Sequence, residues 1–450
     1  MPPTATASRA RWLLVTMYGL FGVMTASWLA RIPTVRDMLH LSTGEIGAFL
    51  LVGSVGSLAA VTLSGVVVQR LGNRRTLLAA TGVLAVGYTL MGVGPALGSG
   101  LLLATGILLN GIAVSLANVV FNVETARIER AMGRTVIPQF HAAFSLGAMA
   151  GSALGAVASR VGVPLVVQMP AVVALAIGCR LAALSGALLP PVDDEVPAPA
   201  AATAPRRRAV AVVLDPWRER RTLLIGVVVL AAALSEGSAN NWLSLAVVDG
   251  FHAPEASGGL VLGLFVGSMT AVRALGTRLI DRFGRVAVLR ASGAASLVGL
   301  LTFGFAPRLP VAAVGVAVWG FGAALAVPIG IAAASDDPRR AAGRVAAVSV
   351  FSSVASITAP PLLGLAAESM GARRALLLVT IAMVASVSVA GQVRRPRVAS
   401  DGAARADQTT ALPAADAALP APDAPIVRAP SVSSLPAPAA AATLVGNHSR

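Results

Sequence analysis

The sequence predicts an all-α membrane protein, with twelve transmembrane helices in two pseudo-symmetric six-helix bundles. Three observations carry this prediction. Of the 450 residues, 56% are hydrophobic and 12% charged, with a mean hydropathy of +0.78, whereas a soluble domain carries roughly 25% charge. Apolar runs of about 20 residues, the length a bilayer core demands, recur twelve times. The last six runs repeat features of the first six.

In order, the runs lie near 12–31, 45–68, 76–96, 100–122, 138–160 and 164–189, then 222–248, 257–278, 286–306, 310–333, 344–367 and 373–392. The first run, from Trp12, lacks a small-residue cleavage site and reads as a retained span. Short connections make neighbouring spans antiparallel. Residues 1–11 form an N-terminal segment, 12–189 one bundle and 222–393 the other. Between them, 190–221 is rich in Pro and Ala, then basic, and reads as a linker. The Ala/Pro-rich stretch 394–450 has no long apolar run and reads as a disordered tail.

Charge gives orientation. All 35 basic residues are arginine. With both termini cytoplasmic, 24 loop arginines fall inside and six outside, a strong positive-inside bias. That predicts a multi-pass protein of the cytoplasmic (inner) membrane. The net charge of +15 is spread over short loops and forms no single patch, which argues against nucleic acid as a partner. A lone cysteine, Cys179, and four scattered histidines make neither a disulfide framework nor a metal site, and no cofactor is expected. Without lysine there is no ATP-binding P-loop. Hydrolase motifs are also missing, so the chain is expected not to be an enzyme.

The halves match in three places. At a shift of 214, Trp28, Leu29, Gly44, Gly53 and Ser54 meet Trp242, Leu243, Gly258, Gly267 and Ser268. At a shift of 209, Gly155 and Gly162 meet Gly364 and Gly371. Between these, "GVVVQRLGNRRTLL" at 65–78 has an echo, "GTRLIDRFGRVAVLR", at 276–290, a shift of 211 counted from the first glycine of each. Six spans repeated in parallel orientation imply two bundles related by an axis along the membrane normal.

These residues resemble the major facilitator superfamily, whose signature loop after the second span recurs after the eighth. Gly65, Arg70, Gly72 and Arg74 carry the first copy, with Gln69 in place of the acid. Gly276, Asp281, Arg282, Gly284 and Arg285 carry the second. The resemblance spans about 12–393 and implies that both loops gate the cytoplasmic side. Physically, Asp281 can accept from backbone N–H groups while the arginines reach helix C-terminal carbonyls. "SWLARIP", "FNVETARIE", "FHAAFSLGAMAG" and "EGSANNW" resemble a bacterial inner-membrane subgroup near the sugar-permease branch.

Polar residues inside spans nominate a site, because ionisable groups in mid-bilayer are costly. Glu236, flanked by helix-weakening Gly237 and Ser238, is the candidate proton carrier, with His141 as a candidate relay. Asn240, Asn241 and Trp242 follow it. With Trp28, Asn118 and Asn122 they make a substrate-binding set suited to a sugar-like solute, amides for hydroxyls and indoles for C–H faces. Glu124, Glu129 and Arg273 are expected in charge pairs. Gly147, Gly151 and Gly155 form a helix-packing stripe. Spans one, four, seven and ten are expected to line the cavity. The reading is a monomeric secondary active transporter with a lipid bilayer, a small solute and protons as partners. The alternatives are a drug or metabolite efflux antiporter of the same fold, and a non-transporting receptor or sensor.

Overall fold

A computed structural model describes residues 3–134, 136–189, 215–337 and 340–394. Most of the expected linker, 190–214, and of the tail, 395–450, lies outside these residues. The described chain is helical: α1 (Pro3–Leu29), α2 (Ile32–Leu39), α3 (Thr43–Ala96), α4 (Gly100–Met132), α5 (Ile137–Arg160), α6 (Leu165–Ala187), α7 (Arg220–Phe251), α8 (Glu255–Phe305), α9 (Leu309–Ala323), α10 (Ala326–Ala334), α11 (Ala341–Met370), α12 (Ala372–Ala375) and α13 (Val379–Val389). α1 starts nine residues before the expected Trp12, because Ala7, Ala10 and Leu14 continue its buried face at helical spacing.

Among the described residues, ten segments are long and apolar enough to cross a membrane, against the twelve expected. The difference lies in α3 and α8. They have 54 and 51 residues, and straight they would run about 80 Å, far beyond a bilayer core of about 30 Å. Each departs from helical geometry at one glycine, Gly72 (φ 74°) in α3 and Gly284 (φ 78°) in α8, a conformation that suits glycine best. In α3, Gly53 and Gly56 abut Ile107 and Leu108 of α4, yet Gly87 abuts Gly106 and Asn110 of the same helix. Residues 53 and 87 therefore sit on two arms folded back at Gly72. In α8, Phe265 lies against Gly320, while Ser292 and Ser296 lie against Gly322. Gly284 folds this helix the same way.

Backbone specials repeat with the sequence. His40 and His252 are left-handed caps of α2 and α7, at φ 52° and 49°. Gly162 and Gly371 turn with φ 73° and 81°. Aligned on Gly72 and Gly284, the signature loops are 212 residues apart, so Thr277, not Gly276, stands opposite Gly65. Helix starts follow local rules. Ser42 and Glu45 form a reciprocal capping box at α3, and Ser99 caps α4.

Close packing relies on small residues, as expected where lipid supplies no hydrophobic drive between helices. Gly147 and Gly151 of α5 press on the backbones of Gly19 and Val23 in α1. Across the halves, α5 packs on the first arm of α8, where Gly259 meets Ser152 and Ala156. Likewise the first arm of α3 packs on α11, where Gly47 meets Pro360.

Candidate functional site

A cavity of about 570 Å³ lies between the halves. α1 contributes Thr25 and Trp28, and the first arm of α3 contributes Ser54 and Ser57. From α4 come Asn110, Ser115 and Asn118; from α7, Gly237, Asn240 and Asn241. α11 adds Ser352, Ser353 and Ser356. Among the described residues, no charged side chain lines it.

Trp28, Asn118, Asn240 and Asn241 thus fall where expected. Asn122 is one turn away, donating to Asn118 at 3.3 Å. Trp242 is misplaced by the sequence reading. It is 1% exposed, packed in the core of the second half with its ring edge on Gly364. Residues Leu243 and Leu245 to Val247 around it are equally buried, so that face of α7 turns inward. The tenth span (α9 and α10) does not contribute to the lining; α11 takes its place. Its serines were missed although Ser349, Ser352, Ser353 and Ser356 recur at helical spacing, a visible signal.

Glu236 lies beside the cavity, next to the lining residue Gly237. It is ion-paired with Arg273 at 2.9 Å. Arg273 Nε also donates to the carbonyl of Ala324, 3.1 Å away. Ala324 sits where the tenth span breaks between α9 and α10, so Arg273 satisfies a carbonyl the break frees. The expected charge pair of Arg273 is therefore in place. His141 is exposed, with its ring edge towards Tyr18 at 6.1 Å.

At one end of the molecule the halves are bolted together. Glu255, at the start of α8, accepts from Thr34 N (2.8 Å), Thr34 Oγ1 (2.5 Å) and Ser159 Oγ (2.5 Å), and pairs with Arg31 at 3.3 Å. Asp249 pairs with Arg36 at 2.5 Å. Glu368 accepts from Gly44 N at 3.1 Å. All three carboxylates belong to the second half and every donor to the first. This is the arginine-poor end of the spans.

At the arginine-rich end, bonds run within each half. Asn73 donates to the fully buried Glu124, which also binds Arg127 (2.9 Å) and the amide of Leu189 (3.1 Å). In the second half, Arg285 and Arg221 share Asp336 at 2.6 and 2.8 Å. The two arrangements are copies, since Asn73 with Glu124 and Arg285 with Asp336 are each related by 212 residues. Asp281, expected to anchor the second cluster, is exposed and makes no hydrogen bond among the described residues; Asp336 holds that place. Arg282 lies over the Phe283 ring, 5.4 Å from its centre, and Gly276 packs against Leu325. Gly65, Arg70 and Arg74 are exposed. Glu129 acts as a cap, accepting from Val136 N (2.8 Å) and Ile137 N (3.0 Å) at the start of α5. Nearby, Glu219 binds Arg344 and Arg340, and the Arg344 guanidinium pulls its carboxyl down to about 2. Asp336→Asn is expected to lower the thermal stability of the purified protein by about 1–2 kcal/mol, and Asp281→Asn to leave it unchanged. Equal melting of the two variants would refute the assignment of Asp336.

The model of the family described as Major Facilitator Superfamily matches residues 225–443. An uncharacterized transporter of Sinorhizobium fredii, y4wD, is 28% identical over 361 residues, 80% of this chain and 92% of its own. Among solved structures, the nucleoside transporter NupG superposes with a TM-score of 0.68 at 13% identity, over 86% of this chain and all of its own. A variant of the E. coli fucose:proton symporter FucP superposes at 0.56 and 14% identity, over 86% of this chain and 98% of its own. With its repeated halves, each turning on a signature-loop glycine, the chain has the fold of the major facilitator superfamily and is similar in sequence to transporters of that superfamily.

Proposed function

We propose that this transporter carries a small, neutral, hydroxyl-rich solute by alternating access. The observation that carries this reading is the cavity lining, in which amides and hydroxyls stand among aromatic and aliphatic side chains and, among the described residues, none is charged. An ionic solute would need a counter-charge inside a membrane-spanning bundle. Asn amides both donate to and accept from hydroxyls, while Trp28 and Phe144 offer faces to C–H surfaces. The names of two structural neighbours point the same way, since a nucleoside and fucose are both neutral and hydroxylated. The folded-back arms of α3 and α8 give twelve crossings, six in each half. The arginine bias supports cytoplasmic termini, and in that orientation the bolted end faces outside and the cavity opens inward.

Glu236 couples transport to protons in this reading. Its carboxylate is held against Arg273 beside the cavity. Protonation would release Arg273, whose other bond stabilises the break in the tenth span. The test is uptake of fucose and uridine into proteoliposomes under an imposed pH gradient. The wild type is expected to accumulate at least one of them, and Glu236→Gln to lose that accumulation by roughly tenfold or more. Gradient-independent accumulation by both would end the coupling role. Outward movement against an inward proton gradient would favour an efflux antiporter, and binding without flux a receptor.

A further inference from the structure

Four hydroxyls of the cavity wall, on Thr25, Ser54, Ser353 and Ser356, have already committed their protons to backbone carbonyls. Thr25 Oγ1 donates to the carbonyl of Phe21 (3.0 Å). Ser54 Oγ shares its one proton between the carbonyl of Leu50 (3.2 Å) and, across the halves, that of Ser356 (3.1 Å). Ser353 Oγ donates to Ser349 (3.2 Å) and Ser356 Oγ to Ser352 (3.1 Å). Ser57 and Ser115 bond each other at 2.5 Å. A hydroxyl has one proton and two lone pairs. In an apolar helix the proton goes by default to the carbonyl one turn back. The lone pairs are what remain to meet a ligand.

We infer that the solute is recognised as a hydrogen-bond donor, with Ser353 and Ser356 of α11 as specificity-determining acceptors that face Thr25 and Ser54 of the other half. The inference rests on the transport reading above and narrows it. A wall of hydroxyl lone pairs with no carboxylate accepts from O–H groups without selecting a cation. It also discriminates, because a ligand oxygen lacking its proton would set lone pair against lone pair. A hydroxylated ring therefore fits, and the same ring with its oxygens methylated does not. The wall has a second property. Its acceptors lie on both halves, so a ligand that donates to α11 and to α1 or α3 at once binds only when the halves hold this relative tilt. Donor recognition and preference for one conformation come from the same contacts.

The experiment uses the full chain in lipid nanodiscs, with calorimetric titration of fucose, uridine and mannitol, and of each fully O-methylated counterpart. Wild type is expected to bind at least one parent compound roughly tenfold or more tighter than its methylated form, the loss expected for a few neutral hydrogen bonds. The Ser353→Ala/Ser356→Ala double variant is expected to lose roughly tenfold for the parent, and Ser353→Thr/Ser356→Thr to retain most of it. Melting temperatures of the unliganded variants check that they fold. Equal affinity for parent and methylated forms, or unchanged affinity in a folded alanine variant, overturns the inference but leaves neutral-solute transport standing. Failure of every parent compound to bind the wild type removes both.

Discussion

Glu255→Ala is expected to unbolt the arginine-poor end. The wild-type carboxylate takes four donors from the other half, and its side chain is only 14% exposed. Truncation removes these bonds and leaves the almost buried Arg31 with Gln168 (2.5 Å), Thr34 Oγ1 (3.2 Å) and the carbonyl of Val163 (3.2 Å) as partners. Hydrogen bonds to a charged group are each worth about 1.5–3 kcal/mol. Allowing for water entering the gap, the closed face should lose on the order of 2 kcal/mol, roughly a thirtyfold shift in population. Spin labels at Met38 and His252, one on each half near this end, would report it. A longer distance population is expected in the variant, and one identical to wild type would show that Glu255 does not hold the face shut.

Gly147→Leu should have the largest effect on folding. A side chain there would have to occupy the space of the Gly19 backbone, and Gly22 is equally tight against Phe144 and Ala148 on the other side of the contact. Neither backbone can move without separating α1 from α5. Overpacking of this kind costs on the order of 3 kcal/mol or more. The control is Gly178→Leu, where a side chain meets open space. Thermal unfolding in detergent should show a large fall in melting temperature for the first variant and little change for the second. Similar melting of both would mean that the α1–α5 contact is not tightly packed.

Much of the architecture was legible because lipid imposes simple rules. Run length, arginine distribution and internal repetition each read a physical requirement directly off the chain. The expected breaks between the second and third and the eighth and ninth spans fall at Gly72 and Gly284, although the helices on either side are otherwise continuous. Half the site was legible too: Asn118, Asn240 and Asn241 stand out as amides in apolar runs. Trp242 misled because an indole beside polar residues looks the same whether it faces a cavity or a core; only the neighbouring spans decide. The serines of α11 left a periodic trace, but a small hydroxyl in an apolar helix usually serves packing. The bolts were invisible for another reason. Glu255 meets Arg31 and Thr34 across more than 220 residues, and no local pattern encodes which loop end faces which.

The polarity of those bolts sets a limit on symmetry. Two copies of the first six spans would bring cations and amide donors face to face, and two copies of the second would oppose Asp249, Glu255 and Glu368 with one another. Neither pairing can form the charge-matched seal that the fused chain makes. A pair of identical repeats would need a different closure, so the difference in charge at these few helix-end positions is what makes the two halves complementary at that face.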